Sequence, residues 1–180
     1  MIRLEYLDKE DFRKIVQWNE NKSSDYLFQW AGPMYKYPLT EIQIEDYFLN
    51  EVQRDKSNIF AYKITLVETN EFVGTIELHV IDEVNRIGRI RRFLIGEESL
   101  RGKGIGKLAL ENTLRIGFEK LNLQKITLGV FDFNHNAIRI YENAGFIKEK
   151  LLQNVRKASA PYWNLYEMAI AKVEWQIKND

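Results

Sequence analysis

Arg101-Gly102-Lys103-Gly104-Ile105-Gly106 separates an apolar, strand-like run from a long amphipathic segment. Three alternating glycines strip side chains from a turn that opens a helix. Backbone N–H groups can converge on an anion there, with the positive end of the helix dipole behind them. The guest expected for such a turn is the phosphate or pyrophosphate of a cofactor. Two familiar phosphate loops do not fit. A Walker loop needs Ser or Thr after Gly-Lys, and here Gly106-Lys107 is followed by Leu108, which lacks the magnesium-binding hydroxyl. A dinucleotide fingerprint sits near the first strand of a parallel βαβ unit, with an acidic residue about 20 positions on. This turn begins only at Arg101, and what precedes it reads as antiparallel strands. A tight turn without a ligand is the other reading of the motif taken alone.

Upstream of the turn, Ile2, Leu4 and Tyr6 alternate as a first strand, and Asp8 reads as the cap of a helix carrying Phe12, Ile15 and Val16. The stretch Asp25–Pro38 is aromatic and irregular. Pro38 and the capping-box pattern Thr40-Glu41-Ile42-Gln43 start a second helix, with Tyr47, Phe48 and Val52 on its apolar side. Strand-like runs follow at Ile59–Glu68, Phe72–Ile81 and Ile87–Ile95, the last ending at Gly96. In the second run Thr75, Glu77 and His79 share the polar face. Downstream, Ile105–Leu121 has helical spacing and Lys125–Phe131 reads as a strand. Asn134–Ala144 is a short helix stopped by Gly145, before strands at about Ile147–Val155 and Trp163–Ala171. The predicted order βααβββαβαββ is an α/β fold. It implies a mixed, mostly antiparallel sheet covered by helices on both faces.

Composition narrows the chemistry. The chain of 180 residues has the length of one domain, 1–180. Lys plus Arg and Asp plus Glu both count 26, and this balance argues against a general nucleic-acid binder. The N-terminus carries no signal-peptide pattern and no apolar run approaches membrane-spanning length, so the expected address is the cytoplasm, with no membrane partner. There is no cysteine, which excludes a disulfide framework, a cysteine zinc site and a cysteine-acyl intermediate. His79 and His135 are too few for a histidine-rich metal site, so no metal is expected. No Gly-x-Ser-x-Gly elbow occurs either. A transferred group is therefore expected to pass directly between two bound substrates.

Two motifs carry a resemblance. Arg101-Gly102-Lys103-Gly104-Ile105-Gly106 matches the signature Gln/Arg-x-x-Gly-x-Gly/Ala, and Asn134, Ala137, Tyr141, Gly145 and Phe146 match a second hallmark at its spacing. Over nearly its whole length the chain resembles the GNAT superfamily of N-acetyltransferases, in a branch similar to ribosomal-protein N-terminal and spermidine acetyltransferases. The resemblance implies a sheet split by a V-shaped wedge that takes acetyl-CoA. It implies that the backbone of Leu94, Ile95 and Gly96 pairs with the pantetheine arm, and that the stretch Arg101, Gly102, Lys103, Gly104, Ile105, Gly106, Lys107 holds the pyrophosphate. Asn134 then contacts the cofactor near its pantetheine portion, and Tyr141 matches the general acid. Exposed edges of a split sheet do offer unpaired amides to an extended, amide-bearing chain.

The chemistry sets its own requirements. An amine with pKa near 10.4 must lose a proton before attacking a thioester, and the departing thiolate benefits from a proton donor. Glu77 and His79 are the candidates for base or relay, against a face that is merely solvated or capped by a helix. Tyr141 shares a helical stripe with Ala137 and Ala144, where a core tyrosine is common. Arg91 stands where the resemblance leads one to expect a glutamate facing the acceptor pocket. An arginine there repels a polycation and attracts a carboxylate, unless it pairs with Glu77 or another acid. Phe28 and Trp30 in the aromatic stretch, and the loop Lys157–Tyr162, are expected to shape the acceptor site. The expected activity is acetyl transfer to a primary amine on a small molecule or a protein N-terminus. A polyamine such as spermidine is the alternative acceptor, a non-catalytic CoA-binding sensor the alternative function, and a homodimer is allowed for.

Overall fold

The computed structural model describes residues 1–52, 57–157 and 162–179. It forms two compact units, Met1–His79 with Arg91–Ala109 and Val80–Ile90 with Leu110–Asp180. The hydrogen-bonded strand order is β1-β2-β3-β4-β5-β7-β6, a mixed and mostly antiparallel sheet as the sequence predicts.

In the first unit β1 (Ile2–Tyr6) lies antiparallel to β2 (Ile59–Leu66), with Ile2 opposite Leu66 and Tyr6 opposite Tyr62. Strand β2 lies antiparallel to β3 (Phe72–Asp82), whose residues to His79 belong here. The end of β4 (Ile87–Ile95) joins this unit from Arg91. Three helices stand between β1 and β2: α1 (Phe12–Asn19), α2 (Ser24–Ala31) and α3 (Glu41–Asn50). Phe12, Ile15, Trp18, Leu27, Ile44 and Tyr47 bury their apolar faces in one core. At about 25 cal/mol per Å² of apolar surface, this burial is the main force gathering the three helices.

Local rules explain most of the boundaries. The Asp8 side chain accepts from the Asp11 amide while the Asp8 amide donates to Asp11 Oδ2 at 2.8 Å, a closed capping box. The capped element is first a 3₁₀ turn, Lys9–Asp11, and only then α1. Thr40 Oγ1 accepts from the Gln43 amide at 3.3 Å. Gln43 does not close the box; its side chain instead accepts from the Lys36 amide and donates to the Pro38 carbonyl. Part of the stretch read as irregular, Asp25–Pro38, is helix α2, begun by Ser23 Oγ on the Tyr26 amide and ended at Gly32, φ +68.

In the second unit β4 runs parallel to β5 (Lys125–Phe131) from Ile87 opposite Lys125 to Ile90 opposite Leu128. Helix α4 (Ile105–Arg115) begins in the first unit and continues here. It stops short of the expected Leu121 because a π-helical turn, Ile116–Lys120, takes over and buries Gly117 and Phe118. After α5 (His135–Ala144) come β6 (Ile147–Lys157) and β7 (Tyr162–Ala171), with β7 antiparallel to both β5 and β6. A last helix unforeseen from sequence, α6 (Lys172–Asn179), sets Trp175 against Phe118, ring centroids 5.2 Å apart. Residues 158–161 of the loop expected at the acceptor lie outside the described residues.

Candidate active site

The glycine turn has the geometry an anion requires. Gly102 has φ +77 and Gly104 φ +82, both left-handed, and neither would bring a Cβ within 4 Å of another heavy atom. The cradle is therefore open on the side where side chains would stand. Helix α4 starts at Ile105, and the Leu108 amide is bonded back onto the Gly104 carbonyl at 3.1 Å. The backbone N–H groups of a first helical turn point out along the axis, toward the glycine turn here. An extended pyrophosphate suits this donor set, because its charge meets amides and the helix dipole together. Arg101 is turned elsewhere on its own unit: Nε donates to the Ile95 carbonyl at 3.1 Å, Nη2 to Tyr26 Oη at 2.7 Å, and Nη1 to Glu98 Oε1 at 3.2 Å.

The strand segment before the turn is partly committed. Leu94 is buried, the Ile95 carbonyl takes the Arg101 bond, and the Gly96 amide donates to the Val73 carbonyl at 2.9 Å. Gly96 must be glycine, since a Cβ there would overlap the Trp18 indole. Trp18 Nε1 in turn donates to Glu97 Oε1 at 3.0 Å.

The polar face of β3 is capped by α3. Glu77 is only 2% exposed. Its Oε1 accepts from Arg91 Nε at 2.6 Å and Arg92 Nη1 at 2.7 Å, and its Oε2 from the Tyr47 hydroxyl at 2.8 Å. Tyr47 Oη also accepts from Arg92 Nη1 at 2.9 Å and Arg91 Nη2 at 3.3 Å, which fills its hydrogen-bonding capacity. Burial, and next the Glu77 charge, push the Tyr47 hydroxyl well above the ordinary tyrosine range. Burial opposes the Arg91 charge, but the Glu77 carboxylate outweighs it and raises the guanidinium. Arg91 thus pairs with Glu77, the alternative left open by the sequence. His79 stays neutral more readily than usual, first through burial and then through the Arg91 charge. Its Nδ1 is buried without a hydrogen-bond partner among the described residues.

Beside this cluster lies a cavity of about 30 Å³ lined by Trp30, Tyr35, Tyr47, Glu77 and Arg92 among apolar neighbours. That is room for one or two water molecules and not for an amine substrate. Trp30 donates Nε1 to Asn19 Oδ1 at 3.0 Å, and Phe28 is not among the lining residues.

In the second unit Asn134 caps α5, its Oδ1 accepting from the Ala137 amide at 3.2 Å, and Gly145 ends that helix at φ +107. Tyr141 is 8% exposed, its ring 5.9 Å from Phe146, and burial pushes its hydroxyl upward. At neutral pH this hydroxyl holds its proton. His135 is exposed at the start of α5. Tyr35, Tyr47 and Arg92 escaped the sequence reading. Tyr47 looked like one more apolar residue of its helix, and nothing local marks its partners on β3 and β4.

Residues 10–146 match the model of the acetyltransferase (GNAT) family. The chain belongs to that family. This GNAT acetyltransferase is 30% identical to an uncharacterized N-acetyltransferase of Bacillus licheniformis, over 94% of its own length and 97% of the relative's. It is 27% identical to spermidine N(1)-acetyltransferase of Escherichia coli strain K12, over 94% and 85%. Against a putative ribosomal N-acetyltransferase of Bacillus subtilis the identity is 24%, over 96% and 91%. The fold matches a crystal structure of spermidine N-acetyltransferase from Vibrio cholerae in complex with CoA and spermine. That match has a TM-score of 0.82 and 21% identity, and covers 97% of this chain and 98% of the other. The GNAT acetyltransferase is an acetyl-CoA-dependent N-acetyltransferase. No group of three His, Cys, Asp or Glu side chains stands ready for a metal among the described residues, and none of their helices is long and apolar enough to cross a membrane.

Proposed function

We propose that this acetyltransferase, acting as one domain in the cytoplasm, moves acetyl from acetyl-CoA to a primary amine, with Gly102–Lys107 holding the cofactor pyrophosphate. The observation that carries this reading is the left-handed pair Gly102 and Gly104, open on its Cβ side and leading into α4. Leu94, Ile95 and Gly96 offer main chain to the pantetheine arm, and Asn134 contacts the same arm. The amine nitrogen attacks the thioester carbonyl, the C–S bond breaks, and the Tyr141 hydroxyl protonates the leaving sulfur. The proton shed by the amine leaves through water, and water returns one proton to the Tyr141 oxygen, so the hydroxyl is restored at the end of the turnover. Glu77, with three hydrogen bonds already on its oxygens, acts as the fixed charge that orients this relay rather than as a bare base. Arg91, Phe28 and Trp30 border the acceptor. Calorimetry with acetyl-CoA, then acetyl transfer across a panel of primary amines, tests the reading. Binding without turnover on every amine would favour a CoA sensor.

A polyamine acceptor is a second reading, favoured by the relatives that carry the spermidine acetyltransferase name. The pairing of Arg91 with Glu77 removes part of the charge objection to it. One structural neighbour is a dodecameric form of the Vibrio cholerae enzyme, so self-association belongs to this proposal, and light scattering measures it.

A further inference from the structure

Strand β4 carries one backbone anomaly. Arg92 sits mid-strand at φ +47, in the left-handed region where Cβ crowds the following carbonyl. Four of the other non-glycine residues in that region, Asn21, Asn70, Asn122 and Asn154, are of the type that tolerates it. Arg92 is not, and no turn follows it: the strand runs on through Phe93, Leu94 and Ile95. Such a conformation persists only where its surroundings over-determine it.

The surroundings do so here. Arg92 Nη1 donates to both Tyr47 Oη at 2.9 Å and Glu77 Oε1 at 2.7 Å, and its guanidinium lies 4.1 Å from the Tyr47 ring centroid. Its own carbonyl accepts from Thr75 Oγ1 at 3.2 Å. Side chain and main chain of one residue are thus held at once, from α3 and β3. Beyond it the Gly96 amide is tied to Val73.

We infer that Arg92 is a positioning residue for the acyl donor. Its clamped, left-handed backbone sets the direction of the Phe93–Gly96 main chain, which rests on the cofactor reading above for its role toward the pantetheine arm. Arg92 itself touches no reacting atom.

The test compares Arg92→Ala, Arg92→Gly, Arg92→Lys and Tyr47→Phe by acetyl-CoA calorimetry and steady-state kinetics, on protein shown to be folded by circular dichroism. Arg92→Ala loses the clamp and keeps the steric strain. It should weaken acetyl-CoA binding at least about tenfold and raise KM for acetyl-CoA while KM for the amine holds. Arg92→Gly loses the clamp without that strain and should fall between Ala and wild type, and Arg92→Lys should recover part of the loss. If Arg92→Ala does not fold, Arg92→Gly and Tyr47→Phe carry the comparison. A folded Arg92→Ala, or in its place Arg92→Gly, that melts lower yet binds acetyl-CoA like wild type overturns the inference. Wild-type protein that fails to bind acetyl-CoA overturns the cofactor reading and this inference with it.

Discussion

The Tyr47 hydroxyl donates to Glu77 Oε2 at 2.8 Å and so ties the middle of α3 to the middle of β3. The bond is buried at both ends, and its oxygen also accepts from two guanidiniums. Removing the hydroxyl leaves three charged groups short of a partner without changing the shape of the ring. Tyr47→Phe should therefore cost about 1–3 kcal/mol of stability, read from urea denaturation. A midpoint equal to wild type would mean that water takes the hydroxyl's place.

Gly104→Val tests the phosphate cradle. A β-branched residue at φ +82 is strained, and its side chain would stand in the open space above the turn. Acetyl-CoA affinity should drop severely in protein that remains folded. Unchanged affinity by calorimetry would move the pyrophosphate elsewhere.

Tyr141→Phe keeps the packing on Phe146 and deletes only the proton. As a general acid, Tyr141 should account for a kcat loss of about 10²–10⁴ with little change in acetyl-CoA affinity. Normal turnover would return Tyr141 to the core as a packing residue.

His79 should set an acid limb of stability. Burial and the Arg91 charge lower its pKa in the folded state below the unfolded value of 6.5. The unfolded chain then binds the proton first, so stability is present above that value and falls as pH drops below it. His79→Gln should flatten the stability profile just below pH 6.5, as followed by thermal melts across that range. A profile that keeps its slope would assign the limb to other groups.

Arg91 and Arg92 bring two positive charges to one carboxylate, so the cluster keeps a surplus. At an effective dielectric of about 20, like charges some 4 Å apart repel by roughly 4 kcal/mol before screening. Arg91→Gln should raise kcat/KM for spermidine relative to an amine bearing a carboxylate, more at low salt than at high. Equal responses of both substrate classes would make Arg91 a structural residue and leave the polyamine reading unopposed.

What the sequence revealed follows the range of the forces involved. Asp8, Thr40, Asn134 and Gly145 act within a few residues, and each caps an element as local rules require. The left-handed turn at Gly102 and Gly104 was legible for the same reason. Helix α2 was missed because its aromatic density hid the signals Ser23 and Gly32, and α6 because eight mostly polar residues carry little periodicity. The Tyr47–Glu77–Arg92 cluster joins residues 30 and 45 positions apart, and no spacing rule reaches that far. Nor does any local pattern mark an arginine for a left-handed backbone.

Trp18 lies on the backbone of Gly96 with its indole nitrogen tied to Glu97. A fluorophore is thus built into the place where β4 ends, with no spacer between ring and main chain. Its emission should follow any displacement of that strand end directly. The difference between wild-type and Trp18→Phe spectra isolates its signal from the chain's other three tryptophans. The protein carries its own optical gauge of the segment, and cofactor titrations can be followed without an attached dye.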